Sequence, residues 1–310
     1  MKVSFIIPVY NPGPDIKELV DCIKDFSLKN KEGTEILVVD SSSTDGSTRF
    51  MENDPSIKLI KIKKSDFNHG GTRNTASSLA SGEYLIFLTQ DVVIRDSQCF
   101  GNLIRTFEED PKIGIAYGRQ LPKSNADFLG RTSRQINYPP QSQIKSLVDK
   151  TKLGIKTIFV SNSFAAYRKR ALDEIHGFPT DVIMNEDQYV GAKMIEHGWS
   201  IAYCADACVY HSHNYTHSQE FKRYFDIGVF FGKEKWILEE FSQAEGEGAK
   251  FVVRQFRSLL ADKQLSLIPG FVLRNFLKYL GYKLGMNEKL LPLFIKKKLS
   301  MNKQYWHNKG

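Results

Sequence analysis

From residue 3 to residue 88, apolar runs alternate with stretches whose apolar residues recur at helical spacing. Val3 to Val9 is a short, largely apolar and β-branched run that ends at Tyr10-Asn11-Pro12-Gly13-Pro14. It reads as a buried strand followed by a turn. Apolar side chains at 16, 19, 20, 23 and 26 then follow the period of a helix. Glu35 to Asp40 is a second buried strand, and it ends on a carboxylate. Ser41 to Ser47 is a polar loop in which Ser43 or Thr44 is placed to cap the next helix. Ile57 to Ile62 predicts a third strand, Gly71 to Leu79 a helix, and Tyr84 to Leu88 a fourth strand running into Thr89-Gln90-Asp91.

Strand alternating with helix is the pattern of an α/β fold whose sheet is parallel and covered on both faces. Ligands of such sheets bind beyond the carboxyl ends of the strands. Tyr10, Asn11, Asp40 and Asp91 all follow strands, so they are expected to share one site. The first strand is not followed by Gly-x-Gly-x-x-Gly, and no Gly-Lys-Ser/Thr loop occurs. Both absences argue against a dehydrogenase-type dinucleotide fold and a P-loop NTPase.

The second half predicts strands at Ile113–Gly118 and Thr157–Val160, a short helix from Arg168 to Ile175, and a helix opened by Asn185-Glu186-Asp187 and running to Glu196. Asn185 is the expected cap, and the two acids suit the positive end of the helix. Trp199 to Tyr210 reads as two short extended pieces. From Ser218 the pattern is helical and aromatic, with a joint at Glu245–Gly248 and further amphipathic helices over 250–261 and 271–284. The division expected is a catalytic domain over 1–215 and a helical extension over 216–310.

Composition adds little except through charge placement. Of 310 residues, 41% are hydrophobic and 25% charged, ordinary for a globular chain. The net charge of +8 comes from the C-terminus, where residues 241–310 hold 13 Lys/Arg against four Asp/Glu. A basic tail of this kind suits an anionic membrane face, with a homodimer interface as the alternative. The near-neutral remainder and the lack of a recognition motif argue against nucleic acid. No apolar run approaches the roughly 20 residues of a membrane span, and no signal peptide is evident, so a cytoplasmic location is expected. The four cysteines are then expected to be free thiols. Cys204 and Cys208 precede His211 and His213, but their spacing fits no familiar zinc pattern.

Five segments now occur in order: Phe5-Ile6-Ile7-Pro8-Val9-Tyr10-Asn11; Val38-Val39-Asp40-Ser41-Ser42-Ser43-Thr44-Asp45-Gly46-Ser47; Gly71-Thr72-Arg73-Asn74; Thr89-Gln90-Asp91; and Asn185-Glu186-Asp187. Together they resemble family 2 glycosyltransferases with the GT-A fold, over residues 1–215. Asp66 to Asn74 further resembles the bacterial members of that family that use dTDP-β-L-rhamnose.

The resemblance implies a nucleotide-sugar donor, a lipid-linked saccharide acceptor and a divalent cation, Mg²⁺ or Mn²⁺. It makes Asp40 the acceptor of a pyrimidine N3–H, with Pro8 and Tyr10 walling the base and Asp45 nearby. Asp40 as a mere loop cap is the competing reading. The family's Asp-x-Asp survives only as Asp91, the expected metal ligand, with Gln90 left to the ribose. His211 resembles a late metal or phosphate contact, and His213 shares its strand face. Arg73 is expected to bind phosphate, and His69 sugar or phosphate. Asp187 resembles the catalytic base, and Glu186 orients it or the acceptor. Ser161 and Asn162 are placed for acceptor contact, whereas Trp199 is expected in the core. One displacement inverts the anomeric centre, so a β-linked donor yields an α-linked product.

Overall fold

The computed structural model describes residues 2–30, 33–241 and 246–307. Strands β1 (Val3–Val9), β2 (Thr34–Asp40), β3 (Ile57–Lys61) and β4 (Tyr84–Leu88) alternate with helices α1 (Asp15–Lys29) and α2 (His69–Leu79). There follow β5 (Val93–Ile94), α3 (Cys99–Glu109), β6 (Ile113–Leu121), α4 (Phe128–Asn137), β7 (Gln143–Lys145) and α5 (Lys150–Leu153). Next come β8 (Phe164–Arg168), α6 (Lys169–Glu174), α7 (Glu186–Glu196) and β9 (Ser200–Tyr210). The chain ends in helices α8 (His217–Lys233), α9 (Lys235–Phe241), α10 (Glu247–Ala261), α11 (Ile268–Met286), α12 (Leu293–Leu299) and α13 (Lys303–His307).

One sheet runs in the order β3-β2-β1-β4-β8-β6-β9-β5, with β7 on β9. β1 to β4 pair in parallel, as the alternating pattern requires. β8 enters antiparallel between β4 and β6, and β6 pairs parallel to β9. Successive side chains of a strand point to opposite faces. Phe5 and Ile7 therefore pack with α1 and α3 on one face, and Ile6 with Phe87, α7 and α8 on the other. Phe225, Val229, Ile237, Phe241 and Trp306 belong to that second cluster, so the C-terminal helices share the core of the sheet.

Several local expectations are corrected. Residues 154–158 form a 3₁₀ turn, not a strand, and the strand is Phe164–Arg168. The apolar run at 157–160 is buried, but burial alone does not distinguish a short strand from a helical turn. The segment expected as two extended pieces over Trp199–Tyr210 is one strand, Ser200–Tyr210. Its apparent interruption is a bulge, where Gly118 pairs with Cys204 but Arg119 with Cys208. Ser43 and Thr44 cap no helix; the Ser43 hydroxyl binds Asp40 instead. Helix α3, not among the elements expected from the sequence, presents Phe100, Leu103, Ile104 and Phe107 to the core. Of the expected joint at 245–248, Glu245 lies outside the described residues, and α10 begins at Glu247.

The C-terminal hairpin of α8 and α11 owes its closeness to glycine. A Cβ at Gly285 would lie 2.1 Å from the Phe225 carbonyl oxygen, and one at Gly281 2.5 Å from that of Phe221. Only hydrogen fits at those two positions, and the backbones pack almost in contact.

Candidate active site

Strand pairing assembles the first cluster. β5 pairs antiparallel with the end of β9, Val93 opposite Tyr210. That register carries Asp91, two residues earlier, to the segment His211-Ser212-His213. The His211 Nε2 atom lies 3.2 Å and the His213 Nε2 atom 3.6 Å from Asp91 Oδ2. The three potential ligand atoms lie within 4.8 Å of one another. On the far side of the ring, His211 Nδ1 is 2.9 Å from Gln120 Oε1. An amide oxygen accepts only, so the ring proton sits on Nδ1 and the Nε2 lone pair faces the Asp91 carboxylate.

Burial lowers the pKa of His211 and takes that of His213 down to about 4, so both rings are neutral near pH 7. A lone pair facing a carboxylate fits a cation between them. The donor set of one carboxylate and two imidazoles suits a divalent transition metal. The cysteines take no part. Cys204 and Cys208 are buried thiols whose sulfurs donate to the carbonyls of Asn102 and Ala205, which excludes them from a zinc site with the histidines.

The second cluster is built around α7. Asn185 stands before this helix in a left-handed conformation, φ 61°, and its side chain bonds Gln188 and makes no cap. Glu186 and Asp187 occupy the first turn. Arg73 is 5% exposed, and its Nη1 lies 3.1 Å from Glu186 Oε1. The same guanidinium donates to the His69 carbonyl at 2.9 Å. The Asn162 amide donates to Glu186 at 3.1 Å and accepts from the Tyr167 hydroxyl at 2.7 Å. Burial would raise the Glu186 carboxyl, but Arg73 and then His69 hold it low and ionised. Asp187 moves the other way. Burial first and the Glu186 charge second push its pKa up to about 7, although it accepts backbone bonds from Asn162 at 3.2 Å and Gln188 at 2.8 Å.

The two clusters meet at residues 161–163. Gln120 donates to the Ser161 hydroxyl at 2.8 Å, the Asn162 backbone N–H donates to Asp187, and the Thr89 backbone N–H donates to the Ser163 carbonyl at 3.4 Å. One tripeptide therefore touches the partner of His211, the strand end before Asp91, and Asp187. The Gly71-Thr72-Arg73-Asn74 segment holds the approach to α7. Asn74 exchanges two 2.8 Å bonds with the Phe178 backbone, and Asn68 donates to the Thr180 carbonyl at 2.9 Å. From the C-terminal end, Asn302 hydrogen-bonds His69, and burial lowers the pKa of that ring.

The nucleotide-facing residues lie at the ends of β1, β2 and β4, as expected, but several are engaged locally. Asp40 is buried and accepts from the Ser43 amide and hydroxyl and from Thr48, the loop-anchoring arrangement. Asp45 is exposed and accepts from the backbone of Gly13 and Ser47. The Gln90 amide is spent on the Tyr10 backbone, with bonds of 2.7 and 3.1 Å, and so locks β4 to β1. Tyr10 is exposed beneath Lys64, which donates to its hydroxyl, and Pro8 is half-buried beside it.

Trp199 packs against the core, as expected, but is half-buried and donates to Glu174 at the core's edge. Gln120, Tyr167, Asn68 and Asn302 were not found from the sequence. The available signal for Gln120 was a lone amide near the end of an apolar strand. A separate cavity of about 350 Å³, lined by Arg105, Glu109, Gln143 and Asp206, shares no residue with either cluster.

A mixed sheet with acids gathered at its strand ends and a helical C-terminal cover is the architecture of the GT-A glycosyltransferases. The solved structure of the mannosyltransferase PcManGT from Pyrobaculum calidifontis, in complex with GDP-Man and Mn²⁺, superposes with a TM-score of 0.62 at 19% identity, covering 93% of this chain and 86% of that one. S. aureus TarS residues 1–349 in complex with UDP-GlcNAc superposes at 0.54 and 17% identity, covering 93% and 91%. The model of glycosyl transferase family 2 matches residues 4–176. The chain belongs to that family and is a glycosyltransferase. It is 44% identical to the O-antigen chain rhamnosyltransferase RfbN of Salmonella typhimurium, over 99% of this chain and 97% of the relative. It is 41% identical to the O-antigen chain rhamnosyltransferase WbaN of Salmonella anatum, over 98% and 96%.

Proposed function

We propose that this enzyme moves L-rhamnose from dTDP-β-L-rhamnose to a hydroxyl of a lipid-linked saccharide, with inversion, in bacterial surface polysaccharide synthesis. The near full-length likeness to two O-antigen rhamnosyltransferases supports the sugar and the acceptor class. The observation that carries the mechanism is the tripeptide 161–163, which brings Asp187 and the Asp91–His211–His213 cluster to one place.

In this reading Asp187 is the general base. Its raised pKa suits proton abstraction near neutral pH, and the acceptor hydroxyl gives its proton to the carboxylate as its oxygen attacks the anomeric carbon. Glu186 and Arg73 form a buried pair that fixes the start of α7. Arg73 is thus the counter-charge of Glu186, in place of the diphosphate contact expected from the sequence. Asp91, His211 and His213 hold the divalent cation. The two imidazoles favour Mn²⁺ over Mg²⁺, which prefers oxygen ligands and water. When bound there, the cation supplies positive charge toward the departing diphosphate. Pro8, Tyr10 and the Asp40–Asp45 loop form the nucleoside wall, and His69 borders the sugar. The lipid-linked acceptor places the enzyme peripherally on the inner membrane face.

The test is a donor screen that measures nucleoside diphosphate release with Mn²⁺ or Mg²⁺ and a lipid-linked acceptor. Release of dTDP with an α-linked product is expected. Turnover confined to a UDP-hexose or UDP-N-acetylhexosamine would replace the donor assignment. Tight donor binding with no turnover would favour a non-catalytic role.

A further inference from the structure

Helix α11 carries large apolar side chains on its solvent side. Val272, Phe276, Tyr279 and Leu280 are 58%, 58%, 62% and 36% exposed, and their spacing puts them on one face. The opposite face is used up against α8, through Gly281 and Gly285. Helix α10 repeats the arrangement with Val253, Phe256 and Leu260. Phe256 stacks on the buried Phe271 at 6.1 Å, so α10 packs beside the start of α11. Thirteen of the twenty exposed large apolar residues among those described lie between 253 and 301, so exposed apolar surface is concentrated in the C-terminal helices.

Charge identifies the occupant. Arg254, Arg257, Lys263 and Lys283 are exposed around the stripes, in the segment that holds 13 basic residues against four acidic. A second copy of the chain would set two such basic surfaces against each other. An anionic phospholipid surface satisfies both the apolar stripe and its basic border.

We propose that the α10–α11 face docks the enzyme onto an anionic membrane leaflet. This deepens the functional reading above and rests on its lipid-linked acceptor. The docked face is tied to the active site. Arg274 of α11 donates to the Tyr215 carbonyl at 3.0 Å, and the Tyr215 ring stacks on His213 at 5.1 Å. A membrane that seats α11 therefore sets the height of the Asp91 cluster above the lipid.

The test is flotation of the full chain with vesicles of phosphatidylglycerol and phosphatidylethanolamine, compared with phosphatidylcholine alone, together with sedimentation of the free protein. Binding to the anionic vesicles that weakens with salt is expected. Arg254→Gln with Arg257→Gln should weaken it about 25-fold, at roughly fivefold per charge. Phe276→Ser with Tyr279→Ser should weaken it by about tenfold or more, with an unchanged melting temperature. Transfer to a lipid-linked acceptor in vesicles should fall in these variants, while transfer to a detergent-free soluble saccharide should not. Equal binding by wild type and variants, or no binding, overturns the proposal. So does a dimer that the Phe276 and Tyr279 changes dissociate. Vesicle binding without rhamnosyl transfer upholds the docking face and removes only the functional reading.

Discussion

The imidazole of His211 is held from behind by the buried amide of Gln120, with Nδ1 2.9 Å from Oε1, so that its other nitrogen faces Asp91. Gln120 is 1% exposed, and its own amide nitrogen is fixed by Ser161. A ring set by a rigid partner loses little freedom when it binds an ion, and removal of such partners typically costs about 10–100-fold in metal affinity.

Gln120→Leu is therefore expected to weaken Mn²⁺ binding by about 10–100-fold, while Gln120→Glu, which keeps an acceptor at the same place, stays closer to wild type. Titration calorimetry or the electron spin resonance signal of free Mn²⁺ measures this without turnover. Equal affinities in all three proteins would remove Gln120 from the arrangement.

Asp187→Asn is expected to lower kcat by about 10²–10⁴ while the fold persists. A base must be ionised to act, and the Asp187 pKa is raised to about 7. Wild-type kcat/KM should therefore climb as pH rises through about 7 and then level off, and the residual activity of the Asn variant should lack that limb. An unchanged pH profile in the variant would take the base role from Asp187.

The Arg73–Glu186 pair is almost fully buried, so breaking it leaves a charge without a partner. Arg73→Met or Glu186→Gln alone should cost about 3–5 kcal/mol, and the double change less than the sum of the two. Urea unfolding of the four proteins gives the cycle. Additive losses would show that the two side chains do not act as a pair.

Asp226 of α8 is fully buried and accepts from the backbone of Met301 and Asn302 and from the Asn302 side chain, while its Oδ1 has no partner. Burial raises its pKa to about 6. The folded state therefore holds this proton at pH values where the unfolded chain, near 4, has lost it. Stability from this group is present below about pH 4 and is lost as pH rises to about 6, on the order of 3 kcal/mol in all. Asp226→Asn should flatten that part of the stability curve, as read from melting temperatures between pH 4 and 7.

The first four strands and both intervening helices were legible because a buried parallel strand is a plain apolar run and a covering helix shows a 3.6 period. The acids at the ends of β2, β4 and the start of α7 were legible because the type of each residue states its chemistry. The 154–158 turn was not, because its apolar residues are buried in either conformation. The role of Arg73 was not, because nothing local to it indicates a carboxylate more than a hundred residues away.

The amino-acid order by itself determined the α/β class, the strand ends where the polar groups gather, and the list of groups able to bind metal or move a proton. Tertiary structure decided what each of them faces. The β5–β9 register put Asp91 between two histidines, and the 161–163 tripeptide joined that cluster to Asp187. Periodicity reports the environment along one element, whereas a partner is fixed by how distant elements pair and pack, and that information is shared across the whole chain.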